Sequence, residues 1–318
     1  MGCNTCTNDK RHYIIEPLQI LTPPFTSSKI HFTFENSLKF FSFSFESQSM
    51  SNKEVEGSKT FLDKYKTFPE FFRVANMHNN LYICGGKTSQ GYLNTNFKIE
   101  VVNDVFNVTE CAVMLECKCS MAIANINECA FVIAGGFNSH MLTTVEIYKA
   151  YSNKWIVLNS LNVGRYNASA CLVNQKFLYV VGGLTTNEVS VVTIERLNVL
   201  KKNEKWNIVP LYSSEFCGCI EAGVFQKSFN EIIICGGYVN DDYTKETYVF
   251  DITLGRITKG EEMKEKDVLI STFGYKDENE VYGFGITGKV HLYNSLNNTW
   301  KVFKLQDTIK TCTLKANS

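Results

Sequence analysis

A glycine pair ending a short apolar run recurs four times along the chain, as LYICGG (81–86), FVIAGG (131–136), LYVVGG (178–183) and IIICGG (232–237). The first glycines fall at Gly85, Gly135, Gly182 and Gly236, at intervals of 50, 47 and 54 residues. Such a period is one supersecondary unit long, so the chain has to stack like units side by side to bury a common core. A degraded fifth copy, VYGFG (281–285), follows at the same distance, with Phe284 breaking the pair.

Each copy continues in one order: a polar loop, an alternating run ending in an aromatic, a polar turn and a second aromatic about seven residues on. VEIYKAYSNKW (145–155) shows it with Tyr148 and Trp155, and VHLYNSLNNTW (290–300) with Tyr293 and Trp300. The third copy keeps Trp206, whereas the first and fourth place Phe106 and Ile257 there, so the second aromatic is a packing preference. Alternating β-branched and aromatic residues bounded by Gly, Asn, Asp and Ser predict strands. The glycine pair suits a backbone that takes positive φ and lies close to a neighbouring strand.

These repeats resemble the kelch family over residues 70–305. The third copy is the nearest match, because GRYNASA (164–170) is similar to the family's arginine-containing lead-in to the innermost strand, and the other copies lack that arginine. The resemblance implies an all-β propeller, a ring of four-stranded blades around a channel.

Before the first repeat, KIHFTFENSLKFFSFSF (29–45) reads as the outer half of another blade, with Phe34 and Phe41 at the same spacing of seven. Segments 13–46 and 308–315 are expected to share a closing blade, giving six blades across 13–315, since an unclosed ring would expose strand edges. Residues 47–60 read as a polar surface loop, and 1–12 as a flexible start. No second domain is expected after this assignment.

Lys plus Arg and Asp plus Glu are 32 each, and no basic stripe accompanies them, which argues against nucleic acid as a partner. No apolar run is long enough to span a bilayer, and the start lacks a secretory pattern, so a cytoplasmic protein is expected. Its twelve cysteines are then read as small packing residues, and the Asn-x-Ser/Thr triplets at Asn107, Asn167 and Asn297 carry no glycosylation signal.

The opening Met-Gly-Cys-Asn-Thr-Cys resembles an acylation site, with myristate on Gly2 and palmitate on Cys3 and Cys6, although the usual pattern has Ser or Thr in place of Cys6. Two acyl chains would hold the protein at the cytosolic face of a membrane, where one would not. The pairs Cys117/Cys119 and Cys217/Cys219 precede their glycine motifs at matching places but sit two blades apart, so no metal site is read from them. Some propellers in this wider family are copper oxidases or sugar epimerases. The five histidines, His12, His31, His78, His140 and His291, form no catalytic constellation, and neither a cofactor nor an enzymatic activity is expected.

Loops after each glycine pair and loops leading into each innermost strand should open on one face. The candidates there are Phe137, Asn138 and His140 in the second blade, Arg165 and Tyr166 in the third, and Tyr238, Asp241 and Asp242 in the fourth. Aromatics with an arginine are the types that dominate interface energetics, so the expected function is a protein-interaction module or scaffold. A structural component of a cytoskeletal or ciliary assembly, and a catalytic propeller, are the alternatives.

Overall fold

The computed structural model describes residues 29–33, 39–44, 49–54, 69–77, 80–102, 105–213, 216–239, 242–277 and 279–304. Gly2, Cys3, Cys6, Asp241 and the segments 13–28 and 308–315 lie outside the described residues.

Five four-stranded antiparallel sheets follow one another along the chain. Blade 1 is Arg73–Met77, Asn80–Cys84, Asn96–Val102 and Val105–Glu110. Blade 2 is Ala122–Asn127, Ala130–Ala134, Val145–Lys149 and Lys154–Leu158. Blade 3 is Ser169–Val173, Phe177–Val181, Ile194–Asn198 and Asn207–Val209. Blade 4 is Gly223–Ser228, Glu231–Cys235, Thr247–Asp251 and Arg256–Lys259. Blade 5 is Leu269–Asp277, Glu280–Gly285, Lys289–Asn294 and Thr299–Lys304.

The second strands are apolar runs because both of their faces are buried. In blade 2, Ile123, Phe131, Ile133, Tyr148 and Trp155 pack on blade 1 residues Ala75, Met77 and Tyr82. The alternate positions Ala124, Val132 and Val145 pack on blade 3 residues Ala170, Leu178, Val180 and Trp206. Period-2 alternation therefore decides which neighbouring blade a side chain meets, and the hydrophobic core is a series of inter-blade layers.

The innermost strands neighbour one another in blade order, and that of blade 5 lies beside that of blade 1. The expectation of six blades is thus corrected to five. Lys29–Thr33, Lys39–Ser44 and Ser49–Glu54 form a separate three-stranded meander, which pairs internally and brings its first strand against the first two strands of blade 1. Its last strand occupies part of the stretch 47–60 that composition marked as a loop. Strand alternation and aromatic spacing are met by any antiparallel meander, so they could not distinguish this one from half a blade.

Candidate functional site

The glycine pairs build one end of the ring. In each of blades 1 to 4 the N–H of the second glycine donates to a carbonyl that leads into the next blade: Gly86 to Lys118 (3.0 Å), Gly136 to Arg165 (2.8 Å), Gly183 to Cys219 (2.8 Å) and Gly237 to Asp267 (2.9 Å). Both glycines take positive φ, +65° and +108° at Gly135 and Gly136, and a Cβ on Gly136 would come within 2.8 Å of the Cys119 oxygen. Neighbouring backbone fills the space a side chain would need.

The residue after each pair bridges to the lead-in loop of its own blade: Lys87 with Glu70, Phe137 with Cys119, Leu184 with Tyr166 and Tyr238 with Ile220. Both loop sets therefore open on one face. Across it runs an aromatic row from three blades: Tyr92 meets Phe137 edge-on at 5.9 Å, and Phe137 meets Tyr166 at 5.3 Å, all three half-buried. The Lys87 ammonium lies 5.5 Å from the Tyr92 ring. Two short hairpins edge the face, Lys87–Thr88 with Gly91–Tyr92 and Tyr238–Val239 with Asp242–Tyr243, the second stacking Tyr238 on Tyr243 at 4.8 Å. Burial raises the Tyr166 phenol above its ordinary value, helped by the Glu188 carboxylate.

Of the predicted residues, Phe137, Asn138, Tyr166 and Tyr238 lie half-buried on this face, and His140 and Asp242 lie exposed on it. The Asn138 N–H closes its loop on the His140 carbonyl at 2.9 Å. Asp242 pairs with Lys266 at 2.5 Å, which holds its carboxyl below the usual range.

Arg165 is a correction. Its side chain is fully buried, paired with Glu195 at 2.8 Å and donating to the Gly182 and Thr193 carbonyls at 3.1 and 2.9 Å. Glu195 in turn accepts from the Asn162 and Val163 N–H groups. Lys118 repeats this in blade 2, paired with Glu146 at 2.6 Å, while Glu146 accepts from the Leu115 N–H. Blade 5 reverses the polarity, with Asp267 against His291 at 3.0 Å. The buried pair pins the connector between blades, so its cation reaches no partner.

Matching the backbone bonds puts Cys219 in the place of Lys118 and Arg165, whereas Cys119 takes the place of Tyr166 and Ile220. The two Cys-x-Cys pairs are one residue out of register. Cys119 and Cys219 are buried, and Cys217 is exposed. No group of three or more His, Cys, Asp or Glu among the described residues is placed to hold a metal.

Sequence reasoning missed the channel mouth. Phe71, Ser120, Asn167 and Glu221 occupy one position in blades 1 to 4, all at left-handed φ between 51° and 55°. Each of the last three donates its N–H to the carbonyl of the preceding one, at 2.8–3.0 Å, forming a belt around the mouth. Arg73 reaches across it, donating to the Met121 carbonyl at 2.7 Å and to Asn167 Oδ1 at 3.3 Å, and pairing with Glu221 at 2.9 Å. The signal was a residue two positions before each innermost strand, polar in blades 2 to 4 and Phe71 in blade 1, which is legible only once the blades are aligned.

No family model matches the chain. Its relatives include the Kelch repeat and BTB domain-containing protein 2 of Cowpox virus (strain GRI-90 / Grishak), 24% identical over 195 residues, covering 56% of this chain and 34% of the relative. Human Kelch-like protein 28 is 42% identical over 55 residues, 17% of this chain and 10% of its own length. A RING finger domain and kelch repeat-containing protein of Dictyostelium discoideum is 28% identical over 82 residues, 26% of this chain and 8% of its own. The chain thus covers about a third or less of the length of these proteins. No helix among the described residues is long and apolar enough to cross a membrane. The glycine-pair period, the closed ring of four-stranded blades and these relatives agree: the fold is a kelch-type β-propeller, and the chain is similar to kelch-repeat proteins.

Proposed function

We propose that the protein is a non-catalytic interaction module that grips a protein partner on the glycine-pair face. The observation that carries this is the contiguous row Tyr92, Phe137 and Tyr166, three half-buried rings from three blades, edged by two hairpins. Rigid aromatics on a fixed scaffold offer large contact area at small entropic cost, the pattern of interface hot spots. Arg73 and Glu221 neutralise each other at the mouth, so the central surface presents shape and aromatic area in place of net charge.

The experiment is capture of partners by proximity labelling from native cells, comparing wild type with Phe137→Ala/Tyr166→Ala. Loss of specific partners, with the thermal midpoint held within a few degrees, supports the reading. An unchanged partner set overturns it. Truncation of one hot-spot ring lowers affinity by about tenfold or more.

Acylation at Gly2, Cys3 and Cys6 would set this module at the cytosolic face of a membrane. The sequence pattern supports it, and membrane fractionation of Gly2→Ala tests it: release of the variant is the expected result, and unchanged partitioning of both proteins contradicts it.

A further inference from the structure

Antiparallel blades put the turns between their third and fourth strands on the end opposite the aromatic row. In all four of these turns that are described, one large apolar side chain points into solvent: Tyr151 (76% exposed), Leu200 (41%), Leu254 (62%) and Leu296 (76%). Blade packing does not require them, because Tyr148, Leu197, Phe250 and Tyr293 just before them are buried and fill the inter-blade layers. A single exposed leucine is ordinary, but recurrence at one structural position in three blades, and one residue later in blade 4, is a pattern.

Cations flank three of these tips. Lys149 and Lys154 flank Tyr151, Lys201, Lys202 and Lys205 follow Leu200, and Arg256 follows Leu254. The carboxylates in these turns are occupied locally: Glu204 pairs with Lys201 at 3.9 Å, and Asp251 accepts the Thr253 and Leu254 N–H groups at 2.8 and 2.9 Å. With the turns between first and second strands on the same end, which add Lys176 and Lys227 against Glu128, Glu231, Asp277 and Glu280, the described turns here carry eight cations against six carboxylates, a small positive excess in a chain whose charges balance overall.

We propose that this face rests on an anionic lipid surface, with the apolar tips entering the headgroup region and the lysines against the phosphates. A protein interface has a contiguous apolar core depleted in lysine. Separated single tips flanked by lysines suit a fluid surface, which each tip enters independently while nearby lysines snorkel to the headgroups. The aromatic face is then turned away from the membrane. This inference does not depend on the aromatic row or on acylation.

The test is cosedimentation of the full chain, produced without acyl chains, with vesicles of phosphatidylcholine alone or mixed with phosphatidylserine. Binding to the mixed vesicles only is expected, with the partition falling about fivefold for each of Lys201→Gln and Lys202→Gln. Tyr151→Ser/Leu296→Ser should lower it further with an unchanged thermal midpoint, and Phe137→Ala should leave it alone. Equal binding to both vesicle types, loss of binding in Phe137→Ala, or self-association of the wild type that the tip variant abolishes would each overturn the proposal. The last would make a second copy of the chain the occupant.

Discussion

Arg165 is the residue where sequence and structure part most sharply. An arginine in a loop beside an aromatic reads as an interface anchor, yet it is enclosed with Glu195 and holds the connector into blade 3. Removing it alone leaves a buried carboxylate without its counter-charge, so Arg165→Met should cost about 3–5 kcal/mol. Arg165→Met/Glu195→Leu should recover most of that loss, as read from denaturant midpoints. The interior thiols give a second residue-scale test. Burial pushes Cys84 and Cys219 from the usual 9.0 up to about 12, with Arg73 and Arg165 respectively opposing it. Below pH 9 both folded and unfolded chains keep these protons. Between pH 9 and 12 only the unfolded chain releases them, so unfolding is favoured and stability falls across that window. Cys84→Ser/Cys219→Ser should flatten this alkaline slope in equilibrium unfolding, and an unchanged slope would contradict the account.

At the scale of the element, the strands were the most legible part of the sequence. Alternation and the paired aromatics of 145–155 and 290–300 mark third and fourth strands that the structure reproduces. The function of the second aromatic was not legible, because its partner belongs to a different segment. The indoles of Trp155, Trp206 and Trp300 donate to the carbonyls of Ala112, Asn159 and Glu261 at 2.7, 2.7 and 3.1 Å, each six residues before a lead-in position. In each Trp-bearing blade an indole in the fourth strand, or just before it in blade 3, therefore ties down the connector that enters the blade. Trp155→Phe keeps most of the apolar contact and loses that bond, so a loss of about 1 kcal/mol is expected in chemical unfolding. The candidate face was legible as a set of loops on one end. Its division into surface rings and buried charges was not, because Lys118, Arg165 and Asp267 become equivalent only through the bonds from Gly86, Gly136 and Gly237.

For the whole molecule, five blades close by setting the innermost strand of blade 5 beside that of blade 1, and each blade is one continuous stretch of chain, with a short hairpin inserted between the second and third strands of blades 1 and 4. The sequence suggested a shared sixth blade because a ring needs closure and strands stood ready at 29–45. The structure meets that need with inter-blade packing, the belt of left-handed residues and Arg73 spanning the mouth. The result is a closed ring with two unlike ends, an aromatic face and an apolar-tipped one. The central claim is that the aromatic face is the one that grips protein. Site-specific photo-crosslinking in native cells tests it most directly, with benzoylphenylalanine placed at Phe137 and, as the comparison, at the exposed Val157 on the outer strand of blade 2. The account predicts a discrete protein adduct from position 137 and none from 157. No adduct at 137, or the same adducts from both positions, would contradict it.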